Sequence, residues 1–148
     1  MVASCGQAGN GKNMDISLES AKDKVMSTEQ EIVGLLPQDK VLSRFAHDTS
    51  PLMPCSGEQR KWTGDAEAEL APGVDRDAFL DDVVASMSTK DGWTVDDGKT
   101  AGGKRRVDLL HSDGTHLLVS FRDAPETLRV SGYSACFPFP EYEYGEEY

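Results

Sequence analysis

From Asp15 to Leu36 the apolar residues Leu18, Ala21, Val25, Ile32, Val33 and Leu36 recur at three- and four-residue steps with charged positions between them. That period lays them along one stripe of an amphipathic helix. Asp15 or Ser17 supplies an N-cap, and Pro37, which has no amide hydrogen to donate, stops the helix. Gln38 to Gly57 has no period and contains Pro51 and Pro54, which predicts an irregular connection.

From Trp62 to Leu70 the pattern changes to strict alternation: Trp62, Gly64, Ala66, Ala68 and Leu70 against Thr63, Asp65, Glu67 and Glu69. A two-residue period is that of a half-buried strand. Pro72-Gly73 ends it. A second helix follows from Asp75 to Ser88, capped by Asp75 or Asp77, with Phe79, Leu80, Val83, Val84 and Met87 as its buried stripe.

The last third reads as an antiparallel meander, with a strand at Trp93 and Val95, then Arg105–His111, Thr115–Arg122 and Thr127–Tyr133. Asp113-Gly114 is a two-residue hairpin signal. With that loop, Leu110 faces Leu117, and Val119, Phe121, Leu128 and Val130 continue the core surface. Val107, Leu109, Leu118 and Tyr133 then fall on the opposite, partly wet face, the surface expected to bind a protein, a peptide or an apolar ligand. The pattern predicts an α+β two-layer sandwich, an antiparallel sheet of about five strands with two helices on one face. It occupies 15–138 as a single domain, between a tether at 1–14 and an acidic disordered tail at 139–148.

A chain of 148 residues and 16.1 kDa is long enough to bury roughly 68–70% of its unfolded surface in one domain. Its net charge of −11 opposes docking on nucleic acid or bare anionic lipid, both of which need clustered Lys and Arg. No apolar stretch approaches the ~20 residues of a spanning helix, so a membrane attachment must be covalent.

The three cysteines narrow the picture further. Cys55 and Cys136 bracket the predicted strands, as a single disulfide clasp on an exported domain would. Cys5 ends the small-residue run Val2-Ala3-Ser4-Cys5, which resembles a bacterial lipobox; Met1 then reads as an artificial or truncated start, and Cys5 as the lipidated residue of the mature protein. A phosphate-binding loop is the competing reading of Gly6 to Asn13. It fails because Asn13 replaces the Ser or Thr that holds magnesium and no buried strand precedes it.

Candidates for chemistry are sparse. Across a two-residue hairpin His111 and His116 face each other and offer weak metal ligands, or the centre of a metal-dependent or hydrolytic enzyme, but a third ligand is missing. Asp75, Asp77, Asp81 and Asp82 belong to a solvated helix face, and Asp91, Asp96 and Asp97 lack the spacing of a calcium loop. Lys104-Arg105-Arg106 reads as a solvated strand end. No nucleophile elbow, Cys-x-x-Cys pair or cofactor motif is present, so no catalytic residue and no cofactor are expected.

The lipobox-like Cys5, the strand with Trp62, the helix at Phe79-Leu80, Gly92-Trp93, the Asp113-Gly114 hairpin and the closing Gly132-Tyr133-Ser134-Ala135-Cys136-Phe137 together resemble small actinobacterial lipoproteins of the LppA-like kind, over most of Lys22 to Pro138. The resemblance implies an envelope-anchored α+β domain whose family has no established activity, attached to the membrane through Cys5, and with no catalytic motif in the chain the expectation is a non-enzymatic binding module.

Overall fold

The computed structural model describes residues 16–148. Cys5, the lipobox-like run and the tether expected before residue 15 lie outside the described residues.

Helix α1 spans Leu18–Val33, and its start is a reciprocal cap in which Ser17 Oγ accepts from the Ser20 amide and Ser20 Oγ from the Ser17 amide. A 3-10 turn at Gln38–Lys40 leads into β1, Val41–Ala46. Short strands β2 (Met53–Pro54) and β3 (Gln59–Lys61) precede the long β4, Thr63–Leu70. Helix α2, Arg76–Ser88, begins where Asp75 accepts from the Ala78 amide at 3.0 Å. Strands β5 (Trp93–Lys99), β6 (Arg105–His111), β7 (His116–Arg122), β8 (Thr127–Tyr133) and β9 (Phe137–Pro138) complete the chain.

The main sheet has six strands in the order β1-β4-β8-β7-β6-β5, and a small sheet runs β2-β3-β9. Every pairing is antiparallel. Both helices cover one face of the large sheet, so the expected α+β sandwich is the observed class. Their apolar stripes, Ile32 and Val33 from α1 and Phe79, Leu80, Val83 and Met87 from α2, close on Ala66, Ala68, Val107, Leu109, Leu117, Val119, Leu128 and Val130. A second cluster of Ala21, Val25, Leu52, Trp62 and Phe137 seals the end near the small sheet.

Cys55 and Cys136 are bonded, as expected. The bridge joins the approach to β3 with the approach to β9, tying the small sheet to both ends of the large sheet's continuous run.

Three expectations are corrected. The stretch at Gln38 to Gly57 contains β1, an edge strand whose burial pattern does not alternate: Leu42 and Phe45 are both exposed, and the register shifts between Val41 and Ser43. The segment at 139–148 is packed back on the body: Tyr148 and Ser50 exchange backbone bonds of 2.9 and 3.0 Å, and Trp62 Nε1 donates to the Tyr148 carbonyl at 2.7 Å.

The third correction is one of register. The β6–β7 loop has three residues, not two: the His111 amide donates to the Thr115 carbonyl (2.8 Å), the Gly114 amide to the His111 carbonyl (2.9 Å), and Gly114 takes φ +102°. A left-handed glycine closing a three-residue loop is the bulged alternative to the two-residue turn. One residue of slip exchanges the faces of β6 relative to β7. Leu109 therefore opposes Leu117, Val107 opposes Val119, and Leu110 opposes His116. Val107 and Leu109 are core residues at 0% exposure, while Leu110 is 50% exposed. Of the expected outer patch, Leu118 and Tyr133 alone stay on that face, both half-buried.

Asp113 stabilises the three-residue loop by accepting from the Thr115 amide and hydroxyl at 2.8 and 2.7 Å, and Lys24 of α1 reaches it at 2.6 Å. Burial pushes its carboxyl up, but the Lys24 and Thr115 hydrogen bonds outweigh that and hold it at about 2. A depressed pKa stabilises the fold above the ordinary 3.8 and loses that contribution as pH falls through about 2. Asp113→Asn is expected to lose about 1–3 kcal/mol at neutral pH. Urea titrations between about pH 2 and 5 check it, since the variant should show a correspondingly flatter acid limb.

Candidate functional site

The face of the sheet away from the helices carries the polar phase of each strand. On β4 this phase is Thr63, Asp65 and Glu67, and on β8 it is Arg129, Ser131 and Tyr133, with Asp65 opposite Ser131 and Glu67 opposite Arg129. After β1 the chain continues alongside β4, where the His47 amide donates to the Asp65 carbonyl at 2.9 Å. Beyond His47, residues Thr49, Ser50, Pro51 and Met53 line the concavity, while Leu52 is buried in the Trp62 cluster. The result is a groove of about 490 Å³, floored by the backbone at Gly64 and Gly132 and rimmed by Glu147.

Asp65 organises this groove. It is nearly buried, with a side chain 12% exposed, accepts from His47 Nδ1 through one oxygen, and forms an ion pair with Arg129 Nη2 at 3.1 Å through the other. Binding the imidazole at Nδ1 directs Nε2 away from the carboxylate, and the His47 side chain is 54% exposed. Phe45 meets the imidazole edge-on at 4.7 Å and limits its rotation.

Hydroxyls complete the lining. Ser50 Oγ and Thr63 Oγ1 share a hydrogen bond of 3.0 Å, and Thr49 Oγ1 donates to Glu147 Oε1 at 3.1 Å. Among the described residues no hydroxyl or thiol is hydrogen-bonded to His47 Nε2; Ser50 instead donates to the Pro51 carbonyl. The groove holds a planar cation, an imidazole, a carboxylate and several hydroxyls within one concavity, a set suited to hydrogen-bonding a polar ligand from several sides.

The histidines expected to face each other are separated by the sheet. His111 lies on the helix side, edge-on to Trp93 at 5.0 Å and directly over Gly92, where a Cβ would come within 2.5 Å of its Nε2. His116 lies on the other face, 3.7 Å from Asp108 and tilted on Tyr133. The register change removes the shared metal site. Among the described residues no group of three or more His, Cys, Asp or Glu side chains is arranged to hold a metal ion.

Lys104, Arg105 and Arg106 are each engaged with carboxylates. Arg105 bonds Asp97, Asp81 and Asp77, Lys104 bonds Asp123, and Arg106 bonds Asp108. Arg105 alone of the three thus faces the acidic residues of α2 and β5, while Lys104 and Arg106 are paired with Asp123 and Asp108. Arg105 holds the Asp97 carboxyl below its usual range.

His47, Asp65 and Arg129 were not singled out in the sequence. Asp65 and Arg129 sit visibly on the polar phase of their strands, but their meeting depends on β4 pairing with β8. His47 joins them only because β1, which has no periodic signature, lies against β4. No protein-family model, curated protein or solved structure matches this chain, so its functional reading rests on the chemistry of the groove.

Proposed function

We propose that this protein is an exported, envelope-anchored binding module that takes a hydroxyl-rich polar ligand of the saccharide type in the His47–Asp65–Arg129 groove. The groove carries this reading: its volume of about 490 Å³ lies within the roughly 300–1,000 Å³ of small-molecule sites. Its lining combines donors and acceptors, the Arg129 guanidinium and His47 imidazole beside the Asp65 carboxylate and the Thr49, Ser50, Thr63 and Ser131 hydroxyls, as a polyol requires. The Cys55–Cys136 bridge supports an oxidising compartment, and the lipobox-like Cys5 supports a covalent membrane anchor of the LppA-like kind.

Nitrogen-15 chemical-shift titration with glucose, N-acetylglucosamine and glucuronate probes the neutral, amide and anionic variants of this ligand class. The expected shifts cluster on the amides of Asp65, Ser131 and Tyr133. Asp65→Asn and Arg129→Met are each expected to weaken binding by about tenfold or more, as a lost charged hydrogen bond does. Absence of saturable shifts, or shifts centred on another face, overturns the ligand class. Mass spectrometry of membrane-fraction protein tests the anchor through acylation of Cys5, and an unmodified Cys5 in natively expressed material refutes it.

The His47–Asp65 hydrogen bond favours one second reading, a general base acting on a bound ester or glycoside. Hydrolysis of p-nitrophenyl acetate or a p-nitrophenyl glycoside by the wild type but not by His47→Gln would select it.

A further inference from the structure

Glu29 extends from α1 into the contact with β4 and β8 and is 0% exposed. It fits there because Gly132 has no side chain: a Cβ on that glycine would lie 2.9 Å from Glu29 Oε2 and 2.4 Å from Val25 Cγ1. Neither carboxyl oxygen has a hydrogen-bond partner among the described residues.

No neighbouring charge compensates it. On the helix side β4 presents Gly64, Ala66 and Ala68, and β8 presents Leu128, Val130 and Gly132. On α1 itself Lys24 is engaged with Asp113, Lys22 lies over the Trp62 ring, and Glu31 is paired with Lys90 of the loop after α2. Arg44 of β1 bonds Gln30. Through the sheet, the outer face holds Asp65, hydrogen-bonded to His47 and ion-paired with Arg129, and also Glu67 and Tyr133. An isolated carboxylate in such a place is strongly disfavoured, whereas a neutral carboxylic acid is tolerable.

We propose that Glu29 is a proton-operated latch for helix α1, which seats the helix over Gly132 while the carboxyl is protonated and loosens it from the sheet once the proton leaves. Burial, and secondarily the Asp65 carboxylate, raise the seated group from 4.5 to about 8. A released helix returns the carboxyl to water and to its ordinary value. The seated form therefore holds its proton more tightly. Seating is strongest below 4.5, weakens by up to about tenfold per pH unit as pH rises, and levels off above about 8.

Hydrogen exchange on the full chain, corrected for intrinsic amide rates, tests this between about pH 6 and 9. Protection of the α1 amides is expected to fall by up to about tenfold per pH unit up to about pH 8 and to level off beyond it, while the β6 and β7 amides keep theirs. Glu29→Gln is expected to abolish that pH dependence, and Glu29→Met provides the same comparison should the amide variant not fold. Carbon-13 titration of the Glu29 carboxyl is expected to separate it from all surface glutamates. A Glu29 signal that titrates with the others, a loss of protection shared equally by every strand, or an unchanged pH dependence in both variants would each overturn the latch.

Discussion

Replacing Cys55 and Cys136 by serine is expected to lower stability by about 4–5 kcal/mol, the largest effect of any local change in this molecule. The bridge spans a sequence separation of 81 residues, and the loop it closes contains β3, β4, α2 and β5 through β8. In the chain-entropy description the stabilisation comes from the unfolded state, where a closed loop of that length has far fewer conformations than an open chain. Typical domains are stable by only about 5–15 kcal/mol, so the reduced protein should sit near the edge of folding. Urea denaturation of the oxidised, reduced and double-serine forms checks this. A loss below about 1 kcal/mol, well short of the entropy value, would show that the β3–β9 pairing already holds the loop ends together without the bridge.

Trp62→Ala is expected to cost about 3–5 kcal/mol, as do other fully buried aromatic truncations. Trp62 is 0% exposed and packs with Val25, Ala21, Leu52 and Phe137. From between β3 and β4 its indole lies over Gly64, where a Cβ would meet the ring at 2.3 Å. Its Nε1–H donates to the Tyr148 carbonyl at 2.7 Å, and its amide donates to Ser134 Oγ at 2.8 Å. The truncation therefore opens a cavity and frees the returning C-terminal segment. A coupled test follows from the contact with Gly64. Gly64→Ala alone overpacks the site, with a cost of about 1–3 kcal/mol. In the Trp62→Ala background the added methyl enters vacated space, and that cost should vanish. A double-mutant cycle by thermal or urea denaturation measures the coupling; additive losses would place the indole away from the glycine.

Much of the architecture was legible along the chain. The three- and four-residue steps of α1 and α2, and the alternation of β4 from Trp62 to Leu70, depend only on which side of a local element meets water. The helix starts were legible as Asp15 or Ser17 and Asp75 or Asp77, residues that bond nearby amides, and the structure selects Ser17 and Asp75. The cysteine positions around the strands were sufficient to pair Cys55 with Cys136. The edge strand β1 was not legible, because Leu42 and Phe45 are both exposed and a bulge shifts the register near its start, so no apolar alternation marks it. The tail at 139–148 was not legible either. Its Glu-rich composition suits solvent, yet Phe139, Tyr142 and Tyr148 pack on the Trp62 cluster.

The β6–β7 hairpin shows the same division. Asp113-Gly114 marked a hairpin correctly, but a two-residue and a three-residue loop use the same residue types. The choice between them moved Val107 and Leu109 into the core and placed His111 and His116 on opposite faces.

By itself the sequence determined the class of fold, the helix stripes and caps, the β4 alternation and the covalent clasp, because each follows from local periodicity or from residue chemistry. Only the tertiary structure decided the β6 register, the His47–Asp65–Arg129 groove and the burial of Glu29 against Gly132. Those features arise where separate strands and a helix meet, and whether a polar group there faces water, a partner or an apolar wall is a property of the packed elements together.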